Sequence, residues 1–251
     1  HWLEADSCIE IYLLTEKPEK FIGYPVNLIL MSDKQKNEWS LNGQYHFRIK
    51  NRGLAFVMDE LKLVNADKIL FFDTDTYFHK SPLPLFDLIQ PNQAVFYLNE
   101  GLIYNRKRFD TYVKNLEGRK IEIDGESYEL SKESAMWGSL MVGMMTSMRS
   151  SLDWADKLML KFLEVVPSHT IEPFALSESL LKKYKMVEGK NFVSLYSTSR
   201  KKTYAREILS NFLSENKFLK INEQVLLAQK TNIKRPLFVF LKQRFLELMK
   251  K

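Results

Sequence analysis

The stretch KILFFDTDTYFHKSPLPLF, Lys68 to Phe86, decides how this chain is read. A short apolar run, Ile69 to Phe72, stops abruptly at two carboxylates, Asp73 and Asp75, with Thr74 between them. Apolar residues of this kind bounded by polar ones predict a buried strand. Two acids at its carboxyl end are costly unless positive charge sits beside them. In open α/β sheets, ligands bind in the crevice beyond the carboxyl ends of strands. Hard oxygen ligands placed there suit Mg²⁺ or Mn²⁺ bound together with a phosphate-bearing substrate.

Outward from that strand, helices and strands mix. Ile9–Leu14 and Val26–Leu30 read as strands, and the polar stretch 32–43 as loop with turn signals at Ser32-Asp33 and Asn42-Gly43. Leu54, Phe56, Val57, Leu61 and Leu63 predict a helix over 51–65, leading into the strand at 68–72. Ser81-Pro82-Leu83-Pro84 makes a stiff turn before a short helix at 85–89. Ala94–Leu98 is a further strand, and 120–130 alternates around Asp124-Gly125 as a hairpin. Met136–Met144 reads as a core strand, 151–165 and 176–184 as helices, and 192–196 as a short strand. The pattern predicts an α/β fold with a mixed central sheet flanked by helices and a helical, basic C-terminus. The division is a sheet-based body over 1–203 and an extension over 204–251.

At 251 residues the chain is long enough for one large domain with an appendage. Its 45% apolar and 27% charged content is that of a soluble globular protein. No apolar run reaches the roughly 18–20 residues that span a bilayer, and the N-terminus has no signal-peptide pattern. A single cysteine, Cys8, excludes an intrachain disulfide and a zinc cluster, and points to the reducing cytoplasm. Charge is uneven: residues 182–251 carry 17 Lys/Arg and 5 Asp/Glu, the remainder 20 and 26. The basic tail suits an anionic partner or is a solvated helical surface. Pro236 opens a basic helix, KRPLFVFLKQRFLELMKK over 234–251, with Phe and Leu opposite its charges. That helix fits an anchor at the inner face of a membrane or one docked on the body. Nucleic acid is not expected, because the aromatics do not interleave with the basic residues.

Several short motifs together resemble the nucleotide-sugar glycosyltransferases of the GT-A fold, the bacterial sugar transferases and glycogenin-like family in particular. The likeness runs from Ile11 to about Tyr204. Leu14-Thr15-Glu16 is similar to the family's first nucleotide-binding loop. Arg48 or Lys50, in FRIKNRGL, stands where a basic residue faces the donor's phosphates. Asp73-Thr74-Asp75 matches the Asp-X-Asp strand, and SPLPLF the turn and helix after it. AMWGSLMVGM over 135–144 resembles the strand bordering donor and acceptor; Trp137 and Ser139 are kept, but Gly138 and Leu140 replace the usual Asn and Gly. YSTSRKKTY over 196–204 has the spacing of a family His-Lys-Trp pattern, with Tyr196 in place of the metal-binding His, and with Lys202 and Tyr204. Transferases of this kind open with one more strand and helix than the sequence shows. Either the chain is trimmed or its base site is built differently.

The resemblance implies metal-assisted transfer of a sugar, from a UDP-sugar first of all, to a glycan or other hydroxyl acceptor, in making a bacterial surface polysaccharide. Asp75 would ligate Mn²⁺ or Mg²⁺, Asp73 would contact the ribose or a metal-bound water, and Lys50 and Lys202 would neutralise phosphate. Inverting transfer also needs a base for the acceptor hydroxyl; Glu100 and Glu178 are candidates, though each reads more readily as structural or exposed. His46, His79 and His169 show no ligand spacing. Two other readings stand. Asp73-Thr74-Asp75-Thr76 also fits a haloacid-dehalogenase-type phosphatase, although no second acidic pair follows downstream. A transferase-like protein that binds without turnover is the other.

Overall fold

In the computed structural model of the chain, residues 9–64, 66–196 and 199–228 are described, with 230, 231, 233 and 236 beyond them. The basic helix expected over 234–251 falls outside the described residues but for Pro236. The fold is mixed α/β, a small mixed sheet flanked by helices.

Strands β1 (Tyr12–Thr15) and β2 (Asn27–Leu30) form a separate parallel pair. After them comes α1 (Asp33–Trp39), where the sequence suggested only turns. Its start is a capping box: Ser32 Oγ accepts from the Gln35 N–H, and Gln35 Oε1 accepts from the Ser32 N–H. Then follow α2 (Arg48–Glu60), β3 (Lys68–Phe72), β4 (Thr76–Phe78), α3 (Leu83–Leu88) and β5 (Gln93–Leu102). Next are α4 (Asp110–Leu116) and the hairpin β6 (Ile121–Ile123) and β7 (Glu126–Tyr128). Asp124 and Gly125 turn that hairpin at φ of 53° and 80°, the doubly left-handed geometry of a type I′ turn. The remaining described elements are β8 (Ala135–Met145), α5 (Arg149–Val165), α6 (Ile171–Leu181), β9 (Lys185–Glu188), β10 (Val193–Leu195), α7 (Ser199–Asn216) and α8 (Ile221–Ala228).

The central sheet has the order β3-β8-β5-β9. β8 runs antiparallel to both neighbours, and β5 pairs with β9 in parallel. β3 and β5 therefore run in the same direction, and β5 continues past the end of β3, Phe72 lying opposite Met141 and Leu102 opposite Ala135. β8 is buried along almost its whole length, which explains its unbroken apolar sequence. One cluster packs Leu54 and Met58 of α2, Val95 and Phe96 of β5, Met141 and Met144 of β8 and Leu176 of α6. A second joins Tyr112 of α4, Leu158 and Phe162 of α5, Phe174 of α6 and the hairpin through Tyr128. α6 lies in both, so it is buried throughout and its two glutamates are forced inside. Trp137 is a core side chain, edge-on to Phe96.

Gly143 on β8 has no room to grow: a Cβ there would stand 2.9 Å from Ile89 Cδ1 and 3.2 Å from Val95 Cβ. Gly143→Val is expected to cost about 1–3 kcal/mol through overpacking, read as a lower urea midpoint at unchanged m-value. An unaltered midpoint would mean that the segment after α3 does not press on β8. Among the described residues no helix is long and apolar enough to cross a membrane.

Candidate functional site

β3 ends as the sequence suggested, and its end is a tight turn. The Asp73 carbonyl accepts from the Thr76 N–H at 3.1 Å and from Thr76 Oγ1 at 2.5 Å. The Asp73 N–H donates to the Leu140 carbonyl of β8 at 2.8 Å, which ties the turn to the sheet. β4 leaves the turn and pairs antiparallel with β10, setting Thr76 opposite Leu195. That pairing brings Tyr196 to the acids: its N–H donates to the Asp75 carbonyl and its hydroxyl to the Thr74 carbonyl, both at 3.0 Å. The ring of Tyr196 stacks on Tyr77.

Each acid of the turn faces a lysine. Lys50 Nζ, on α2, lies 3.3 Å from Asp73 Oδ2 and 3.4 Å from Glu172 Oε2 on α6. It also donates to Ser139 Oγ at 3.1 Å and to the Ser139 carbonyl at 3.3 Å. Ser139 Oγ in turn donates to Glu172 Oε2 at 2.9 Å. Lys202 Nζ, on α7, stands 3.1 Å from Asp75 Oδ2 and is half exposed. Four elements thus converge on one turn: α2, α6, α7 and β8.

Two acids share the Lys50 ammonium, and the electrostatics follow from that. Burial pushes the Glu172 carboxyl up from its ordinary value, against the pull of Lys50 and the Ser139 hydroxyl. Burial likewise raises Asp73, outweighing Lys50, and the nearby Asp75 adds to the rise. For Lys50 burial works downward, but Glu172 and Asp73 together raise it. The ammonium is held charged, while each carboxylate receives only part of its field. Glu172 Oε1 is buried and without a hydrogen-bond partner, a costly arrangement in the interior.

The other expected site residues lie elsewhere. Arg48 is buried and bound bidentately to Asp156 of α5, at 2.7 and 2.8 Å, and donates to the Glu38 carbonyl. Of the two candidates in FRIKNRGL, Arg48 and Lys50, Lys50 is therefore the one facing the acids; two residues on from Arg48, it points to a different side of α2. Glu178 is buried on α6, accepting from Ser134 Oγ at 2.6 Å, Tyr128 OH at 3.0 Å and the Ala135 N–H at 3.3 Å. Three donors mark it as a structural anchor between helix, hairpin and β8. Thr15, at the end of β1, accepts from the Lys17 N–H through its hydroxyl, and Glu16 beside it pairs with Lys36. Glu100 lies on β5 beside Met136 and Trp137 of β8, beyond the level of Asp73, with its carboxylate 3.0 Å from Arg108.

Glu172 and Ser139 complete the cluster. Glu172 went unnoticed because the helix was expected only from 176. Pro173 in an otherwise apolar run was the available signal, since proline is accepted in a first helical turn. A surface groove of about 560 Å³ runs along Leu98–Glu100 and Asn105–Arg108, and a smaller one of about 240 Å³ lies by Glu178 and Trp154. Neither is lined by Asp73 or Asp75.

Asp73 and Asp75 offer hard oxygen donors, and Mg²⁺-type ions take one or two carboxylates plus substrate phosphates. This donor set fits a divalent ion shared with a diphosphate. Against it, the three carboxylates of the cluster, Asp73, Asp75 and Glu172, already share two ammonium groups, so the surplus negative charge left to draw an ion is small. No family model and no curated protein sequence matches the chain.

Proposed function

We propose that the Asp73–Thr76 turn is the diphosphate end of a nucleotide-sugar site, and that the chain transfers sugar to a hydroxyl acceptor on a GT-A-like frame. The observation that carries this reading is the convergence of Lys50 and Lys202, from helices far apart in sequence, on the two acids of one turn. In glycosyl transfer, charge builds on the leaving diphosphate, and positive groups aimed at that charge lower the barrier. Lys202, half exposed, swings from Asp75 to a phosphate oxygen as the donor enters. Lys50, fixed by Glu172 and Ser139, keeps its charge at the rim and orients Asp73. A divalent ion held by Asp73 and Asp75 supplies Lewis-acid stabilisation of the leaving group when bound. Tyr196 fixes the backbone between the acids.

Thermal shift with UDP and Mn²⁺ tests the reading, because a ligand that binds only the folded state raises Tm. Wild type is expected to gain several degrees with both present, and Asp75→Ala to lose that gain. An equal shift in Asp75→Ala would sink the metal role of Asp75. No shift in wild type would sink the nucleotide site.

The ion pairs themselves favour a second reading: a sugar-nucleotide binding protein without turnover, its acids neutralised by the chain's own lysines. Calorimetric binding of UDP-sugars with no donor hydrolysis or transfer at saturation would support it over the transferase.

A further inference from the structure

We propose that the groove at the carboxyl end of β5 binds an anionic saccharide, with Arg106 and Lys107 holding its carboxylate or phosphate. As the acceptor subsite of the transfer described above, the inference rests on that reading for its role but not for the binding itself.

The groove, about 560 Å³, has the size of a small-ligand site. Its lining is polar, with Asn99, Glu100 and Asn105 able to meet sugar hydroxyls. Three consecutive cations follow, and they are not equivalent. Arg108 is spent on the protein: its Nη2 lies 3.0 Å from Glu100 Oε2 and donates to the Glu100 carbonyl at 2.9 Å, and its guanidinium rests over the Phe109 ring. Arg106 and Lys107 are exposed and pair with no acid among the described residues. Two positive charges thus face the groove uncompensated. Arg106 is also placed. Gly101 adopts φ of +110°, and a Cβ there would stand 2.9 Å from Arg106 Nε, so the side chain lies against bare backbone. A guanidinium held this way presents the planar fork that matches carboxylate or phosphate.

Position relates the groove to the turn. β5 runs in the same direction as β3 on the other side of β8 and continues past it: Phe72 lies opposite Met141 and Leu102 opposite Ala135, so the groove lies farther along the sheet than the turn. Glu100 Oε1 would be 3.3 Å from a Cβ on Gly138, and Gly138 adjoins Ser139, which holds Lys50. Gly138 is also where the transferase likeness departs from its usual residue, and the missing side chain leaves room for Glu100.

Calorimetric titration of the full chain with oligogalacturonate, a sugar phosphate, neutral malto-oligosaccharide and inorganic phosphate tests the proposal. Uronate or sugar phosphate is expected to bind at least 10-fold more tightly than the neutral oligosaccharide, more weakly as salt rises. Whichever of the two binds names the anionic group. Arg106→Ala/Lys107→Ala should lower that affinity at least 10-fold, with Lys132→Ala as the exposed control, unchanged. The double variant should keep the UDP–Mn²⁺ shift, and Asp75→Ala should keep the saccharide binding, so the two sites fail separately. Wild-type affinity in the double variant, no binding of either acidic sugar, or inorganic phosphate binding as tightly as both would overturn the proposal.

Discussion

Asp156→Ala is expected to destabilise the protein by about 3–5 kcal/mol, the usual cost of removing one partner from a buried ion pair. Arg48 and Asp156 are both more than nine-tenths buried, and Asp156 accepts both arms of the Arg48 fork. Arg52 also approaches it, at 3.7 Å. Truncation leaves a guanidinium between α2 and α5 with only the Glu38 and Trp39 carbonyls for partners. Such a change is a large fraction of the stability of a domain. Urea unfolding reads it directly. Asp59→Ala, which removes the exposed partner of Arg149, is the comparison and is expected to cost under about 1 kcal/mol. Replacing Arg48 and Asp156 together by apolar residues of similar volume should recover much of the loss, because no charge is then stranded. Similar costs for Asp59→Ala and Asp156→Ala would show that the pair is solvated and does not lock α2 to α5.

Lys50→Ala is expected to do two things: lower the sugar transfer we propose by about 10²–10³-fold, as for loss of a preorganised electrostatic contact, and make stability depend more steeply on pH. The sign follows from the two acids. Glu172 and Asp73 both have carboxyls raised in the folded state, chiefly by burial. A raised carboxyl favours folding most at pH below its unfolded value, near 4.5 for Glu172, and that advantage declines as pH rises toward the folded value. Removing the ammonium raises both acids further and widens this window. The difference between wild type and Lys50→Ala should therefore be smallest near pH 4 and grow toward neutrality. At the alkaline end wild type itself loses the Lys50 contribution as pH climbs through that residue's raised value. Adding Glu172→Gln to Lys50→Ala should recover stability at pH 7 by removing one of the two stranded charges. A pH-independent gap between wild type and Lys50→Ala would show that the ammonium does not compensate these carboxylates.

Much of the architecture could be read before any coordinates. The apolar run of β3, the Asp124-Gly125 hairpin and the continuous apolar stretch of β8 each carry a local signal, periodic or punctuated, that needs no long-range partner. The misses have local reasons too. α1 was hidden because a capped polar helix on the surface looks like loop by hydrophobicity alone; Ser32 and Gln35 were the legible clue. β4, TYF, follows directly on the turn of acids, and β9, KMVE, sets two apolar residues between charges, so neither makes an apolar run. β5 runs on to Leu102, past its apolar half, because β8 continues to pair with it there despite register shifts.

The candidate site divides the same way. That two acids terminate a strand, and that lysines stand at 50 and 202, is sequence alone, since chain order and residue type establish both. Which lysine meets which acid, that Arg48 is turned instead to Asp156, that Glu178 anchors a helix, and that Glu172 shares the Lys50 ammonium were settled only by tertiary structure. The physical reason is that a strand or a turn is encoded by neighbours a few residues apart. An ion pair between α2 and α6, or between β3's end and α7, depends on where whole elements pack, and on burial that no single segment can report.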